Sequence, residues 1–154
     1  MIAILHNIRS LHNVGSMFRT ADGAGVEKLY LTGITPSPVD DFERPRPQLI
    51  KISLGAEKFV SWEKIKQIGP LIDKLKKNGY KIFALEIHPK AIEYNSQSTF
   101  SNSKIALLLG NEVRGLSPAV LKKCDRILKI PMYGKKESLN VSVAFGIAAY
   151  FLSK

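Results

Sequence analysis

Three blocks of the sequence carry polar side chains where a fold could aim them at a ligand. In the first, Asn13-Val14-Gly15-Ser16-Met17-Phe18-Arg19-Thr20-Ala21-Asp22, helical spacing puts Ser16, Arg19 and Thr20 on one stripe, opposite Val14, Met17, Phe18 and Ala21. Arg19 can therefore face a ligand while its helix stays packed. A guanidinium with a pKa above about 12 is a poor base, but its planar fork suits a phosphate or a developing alkoxide. In the second, Leu109-Gly110-Asn111-Glu112-Val113-Arg114-Gly115-Leu116, Glu112 follows an apolar run and a glycine, where a parallel sheet offers its C-terminal edge to ligands. In the third, Ile130-Pro131-Met132 leads through Gly134, Lys135 and Lys136 to Ser138-Leu139-Asn140-Val141-Ser142, the expected start of a helix, where free backbone N–H groups can hold a polar ligand edge. Each block alone has a plainer reading. Arg19 could pair with Asp22 on a surface for about 0.2 to 0.5 kcal/mol, Glu112 could pair with Arg114, and Ser138 could be an N-cap worth about 1 kcal/mol.

Other chemistries find no support. Gly23-x-Gly25 leads to Lys28 where a dinucleotide fingerprint needs its third glycine, and Leu116-Ser117 stands where a P-loop needs its Lys-Ser/Thr pair. His6, His12 and His88 lack metal-ligand spacing, so no metal is expected. There is no Gly-x-Ser-x-Gly elbow, and Cys124, the single cysteine, has no local base to activate it.

The elements that must position these blocks follow from periodicity. Ile2 to His6 and Glu27 to Thr32 are expected strands, joined by a helix with Asn13 available as N-cap and Gly23 or Gly25 as the stop. Ile34 to Pro47, with four prolines, is a long loop whose Arg44 and Arg46 are candidates for phosphate contact. Ile65, Ile68, Leu71, Ile72 and Leu75 predict a helix over Glu63 to Lys77. Tyr80 to Ile87, Lys104 to Leu109 and Arg126 to Ile130 read as strands, the second apolar enough to be buried on both sides. Val141 to Leu152 is apolar all round, so a helix there must be covered on several sides, by core or by a second subunit. Strands alternating with helices define an α/β domain with a largely parallel sheet.

At 154 residues the chain is expected to be one domain, 1–154. Lys+Arg 23 against Asp+Glu 13 gives a formal charge of +10, which favours a polyanion and makes nucleic acid the leading partner. One cysteine forbids an internal disulfide and fits a reducing cytoplasm, and neither a signal peptide nor a membrane span is expected.

Together, in this order and across nearly the whole chain, the three blocks resemble the SpoU family of RNA ribose 2′-O-methyltransferases, also called the TrmH family. The resemblance implies an α/β fold, a largely parallel sheet with helices on both faces, whose C-terminal part threads a deep trefoil knot that holds S-adenosylmethionine in a bent shape. It also implies a homodimer with the active site near the subunit interface, which would account for the all-round apolar final helix. By resemblance Arg19 is the catalytic arginine and Asn13 its companion, Glu112 is the active-site glutamate, and Ser138 and Asn140 have active-site roles. The cofactor is expected against Leu85, Gly110, Ile130, Met132 and Leu139, largely through main-chain and apolar contacts, with Glu86 as a further candidate for its ribose. The expected substrate is structured RNA, tRNA ahead of rRNA, gripped by the catalytic domain itself. Lys51, Arg114, Lys122, Lys123, Lys135 and Lys136 join the two loop arginines as candidate phosphate contacts.

In-line transfer from a sulfonium to a ribose hydroxyl requires positioning and a route for the hydroxyl proton. Arg19 is expected to orient the target phosphate and lower the hydroxyl's pKa, the proton leaving through phosphate, water or Glu112. An RNA-binding module that keeps the fold without catalysis is the alternative, but a pure binder has no need for Asn13, Arg19, Glu112, Ser138 and Asn140 together. A nucleotide-dependent oxidoreductase is opposed by the missing glycine fingerprint.

Overall fold

A computed structural model of the chain describes residues 1–96 and 103–153. Seven strands form one sheet: β1 (Ile2–His6), β2 (Lys28–Thr32), β3 (Ser61–Ile65), β4 (Tyr80–Leu85), β5 (Ile92–Glu93), β6 (Lys104–Leu109) and β7 (Arg126–Lys129). Their order is β3-β2-β1-β6-β4-β7-β5, and every neighbouring pair is parallel. The chain runs from β1 through β2 to β3 at one edge, then crosses over to fill the other half, so the sheet has a switch point beside β1 and β6. Ligands in open α/β sheets bind at such points, outside the carboxyl ends of the strands.

Period-two alternation assigns each strand residue to a face. Ala3, Leu5, Leu29, Leu31, Phe83, Ile105, Leu107 and Leu109 pack with α1 (Leu11–Ala24), α2 (Pro47–Ser53) and α5 (Val141–Leu152). Ile2, Ile4, Tyr30, Ile82, Ala84, Ala106 and Leu108 pack on the other side with α3 (Ile68–Lys77) and α4 (Pro118–Lys122). Helices on both faces explain the continuous apolar runs of β1 and β6.

Four expectations change. The stretch from Glu63 is not helical: Ser61–Ile65 pairs with β2 as an edge strand, and Lys28 Nζ meets Glu63 Oε2 across it at 2.7 Å. The helix begins only at Ile68, because Pro70 is tolerated in a first turn but not in the interior of a helix begun at Glu63. Asn13 is not the N-cap of α1. Ser10 is, its Oγ accepting from Asn13 N at 3.1 Å, and Gly25 ends the helix in the left-handed region. Ser138 does not cap α5; Asn140 does, its Oδ1 accepting from Ser142 N at 2.8 Å. The proline-rich loop is irregular through Arg46, but it is folded by a Val39–Pro45 bridge, and Pro47 opens α2 at its first position, where a missing N–H costs nothing.

Candidate active site

A cavity of about 260 Å³ opens at the carboxyl ends of β4, β6 and β7. Leu85, Gly110, Ile130, Met132 and Leu139 all line it, as do Asn13, Glu112, Ser138 and Asn140. Residues far apart in sequence thus converge from three strand ends, α1 and the approach to α5. Arg19 does not line the cavity. It is exposed on α1 and takes part in no ion pair found among the described residues, so the plainer pairing with Asp22 is also absent.

The polar rim is a continuous hydrogen-bond chain through all three blocks. Ser142 N and Oγ donate to Asn140 Oδ1 at 2.8 and 2.6 Å. Asn140 Nδ2 donates to Asn13 Oδ1 at 3.2 Å, and Asn13 Nδ2 donates to Glu112 Oε1 at 3.1 Å. The Glu112 carboxylate also accepts from Arg9 N at 3.1 Å and Ser10 N at 3.2 Å. Glu112 therefore grips the N-terminus of α1, where orphan N–H groups and the helix dipole favour an anion. Among the described residues, no ion pair between Glu112 and Arg114 is found.

Partial burial pushes the Glu112 carboxyl upward, but the N–H groups of Glu112 itself, Arg9 and Ser10 and the Asn13 amide outweigh it and hold the group below its ordinary value of 4.5. An ionised carboxylate with both oxygens engaged is a positioning anchor and a weak proton acceptor.

Two glycines shape the turn behind the cavity. A Cβ on Gly110 would lie 2.7 Å from Leu116 Cδ2 and 2.8 Å from the Gly115 carbonyl carbon. Gly115 has φ +64° and faces the Glu86 carboxylate, whose Oε2 accepts from Leu116 N at 2.9 Å. Glu86 lines the cavity, yet its other oxygen accepts from Ile87 N at 2.9 Å, so it first ties the β4 end to the turn after β6. Asn111 shapes that turn: its Oδ1 accepts from Val113 N and Arg114 N, and its Nδ2 donates to Asn7 O at 2.9 Å. The backbone anchors Arg9 and Ser10 escaped sequence reasoning, because main-chain donors have no residue signature, and Asn111 and Gly115 stood in the second block without an assigned role.

Groups outside the cavity are structurally occupied. Asn7 Nδ2 donates to His6 Nε2 at 3.1 Å, leaving Nδ1 to donate to Thr32 Oγ1 at 2.9 Å, and burial lowers the imidazole's pKa. Burial pushes the Cys124 thiol up to about 11, which keeps it protonated at neutral pH. Among the described residues, no group of three or more His, Cys, Asp or Glu could hold a metal ion, and no helix is long and apolar enough to cross a membrane.

A parallel sheet with a half-apolar cavity at its switch point and an amide-carboxylate rim defines a ligand-binding α/β domain. The profile of the SpoU rRNA Methylase family matches residues 1–150, and the chain belongs to that family. The tRNA (guanosine(18)-2′-O)-methyltransferase of Borreliella burgdorferi is 32% identical over 151 residues, covering 97% of this chain and 64% of that protein. A putative TrmH family tRNA/rRNA methyltransferase of Staphylococcus haemolyticus is 32% identical, with 97% and 56% covered. The chain thus spans less than two thirds of the length of these curated relatives. The crystal structure of the A. aeolicus TrmH/SpoU tRNA modifying enzyme superposes with a TM-score of 0.83 at 29% identity, over 99% of this chain and 73% of that one. A structure described as giving insight into 2-OH methylation of C/U34 on tRNA has a TM-score of 0.79 at 29% identity, over 96% and 90%.

Proposed function

We propose that residues 1–154 act as one methyltransferase domain that transfers a methyl group from S-adenosylmethionine to a ribose 2′-hydroxyl of structured RNA, tRNA ahead of rRNA. The observation that carries the reading is the unbroken chain Ser142–Asn140–Asn13–Glu112 on the rim of the cavity. The cavity suits the cofactor: Leu85, Ile130, Met132 and Leu139 offer apolar surface, and Gly110 stands among its walls. S-adenosylmethionine supplies an electrophilic methyl on a sulfonium.

The chain's own residues position the acceptor. Glu112 fixes Asn13 and the start of α1, and Asn13 in turn fixes Asn140 and the segment carrying Ser138. Ser138, with no side-chain hydrogen bond among the described residues, is free to meet the ribose or its phosphate. Because the Glu112 carboxylate is held ionised and engaged, the hydroxyl proton leaves through phosphate or water. Arg19 orients the target phosphate by its planar fork.

Since Arg19 lies outside its own cavity, the reading gives it a role across a homodimer interface made by α1 and α5. α1 and α5 pack on each other, and α5 keeps Val143 and Tyr150 about half exposed, at 51% and 54%, apolar surface that a second copy would cover. The C-terminal trefoil knot belongs to the same reading, supported by the return of the chain from β7 at the outer side of β4 to α5 against α1 and β6.

Incubation with methyl-labelled S-adenosylmethionine and, separately, unfractionated tRNA and rRNA tests the function. Label is expected in RNA from the wild type. Arg19→Ala is expected to lose at least a hundredfold of that transfer while keeping cofactor affinity. No label in tRNA or rRNA, together with no cofactor binding, overturns the reading.

A further inference from the structure

We infer that a second pocket beside the active site, formed by Arg9, Arg46 and Lys64, is a subsite for a backbone phosphodiester of the RNA strand flanking the target nucleotide. The inference rests on the reading of the substrate as RNA. The pocket, of about 410 Å³, lies where β1, β2 and β3 end, and Arg9, Ile34, Thr35, Asp41, Arg46 and Lys64 are among its walls. None of its three cations takes part in an ion pair found among the described residues.

The fold gathers these charges deliberately. Thr35, fully buried, donates to Leu5 O at 2.7 Å and accepts from Ile8 N at 3.0 Å, which clamps the proline-rich loop to the segment carrying Arg9. Lys64 Nζ donates to Gly33 O at 2.6 Å and to Thr35 O, which leaves one of its three protons for a ligand. Arg46 is held by its own N–H on Pro38 O at 2.9 Å and by Nε on Val39 O at 3.4 Å, and among the described residues no hydrogen bond from its two terminal amino groups is found. Arg44, by contrast, is neutralised by Asp40, which accepts from its Nε at 2.8 Å and its N at 3.0 Å, so of the two loop arginines only Arg46 carries free charge.

The charge balance points to an anion. Burial, then the neighbouring Arg46 charge, lower the Lys64 pKa, and Asp41 opposes this only in part. Three cations against one carboxylate in one recess repel each other until an anion enters, and a phosphate can accept from an arginine fork and an ammonium at once. The pocket shares Arg9 with the rim of the cavity, because Arg9 N donates to Glu112 Oε2 while its residue also walls the pocket. A strand whose target ribose enters the cavity would therefore lay a neighbouring phosphate across the Arg9 segment. Such contacts set register without reading sequence.

Binding of unfractionated tRNA and, separately, of rRNA, measured from 50 to 200 mM salt, tests the subsite with Arg9→Gln, Arg46→Gln and Lys64→Gln against Lys74→Gln, a charge-matched change in α3 on the opposite face of the sheet. Each pocket variant is expected to flatten the slope of log affinity against log salt by about 0.7 to 0.9, with cofactor affinity unchanged, while Lys74→Gln keeps the wild-type slope. Should Lys64→Gln lose cofactor affinity and thereby report misfolding, Arg9→Gln and Arg46→Gln decide alone. Pocket variants that bind like Lys74→Gln overturn the subsite and leave the RNA reading standing. A wild type with affinity for neither tRNA nor rRNA overturns the RNA reading and the subsite with it.

Discussion

Glu112 does its work through an unusual set of partners for a surface carboxylate: two backbone N–H groups and one amide, all at the start of one helix. Its carboxyl is lowered from 4.5, so the sign of its pH effect is fixed. The stability it contributes is fully present above the unfolded value and is lost as pH falls through the lower folded value. Thermal melts below pH 5 should show wild type losing stability that Glu112→Gln lacks from the start, the two curves converging in acid. Parallel curves would show that the carboxylate is not held ionised. Gly110→Ala brings a methyl to 2.7 Å of Leu116, a buried side chain behind the cavity wall, so the wall must shift, and calorimetry should show cofactor affinity falling at least tenfold. Asn13, Glu112 and Asn140 were legible as candidate site residues in the sequence, but what connects them was not. The donors from Arg9 and Ser10 are main chain, and any residue there could supply them.

At the scale of elements, α5 was fully legible because twelve apolar or small residues without interruption leave no other solution, and the structure begins and ends it where the pattern does. Phe145, fully buried between sheet and α1, should cost about 3 to 5 kcal/mol when cut to Ala, measured by denaturant unfolding. Ser10→Ala removes the α1 cap and should cost about 1 kcal/mol by the same measurement. β3 was misread because an edge strand with one face toward solvent carries a weak pattern. Its last residue Ile65 and the following Ile68 mimic helical spacing, and only pairing with β2 settles the conformation. The short helices α2 and α4 were not foreseen, although each opens on a proline at its first turn, Pro47 and Pro118, a signal the sequence did contain.

At the scale of the molecule, a parallel sheet with a mid-sheet reversal brings the ends of β4, β6 and β7 to one cavity and the ends of β1, β2 and β3 to a second, positively charged one. The division suits an enzyme that holds a small cofactor in one half of its sheet edge and a polyanion along the other. The overall charge of +10 pointed to a polyanion, but not to Arg9, Arg46 and Lys64 as a cluster that takes part in no ion pair found among the described residues. Sequence distance hides that gathering, since the strand ends meet only when the sheet forms. The central claim is that the Asn13–Glu112–Asn140 rim presents a ribose hydroxyl for methylation, and the most direct test is the position of the transferred methyl. After reaction with labelled S-adenosylmethionine, tRNA digested enzymatically to nucleosides and resolved by mass spectrometry should carry the label on a ribose, and alkaline hydrolysis of the same tRNA should leave the label in a dinucleotide, because the blocked 2′-hydroxyl cannot cleave its linkage. Label on a base, with every linkage still open to alkali, would contradict the account.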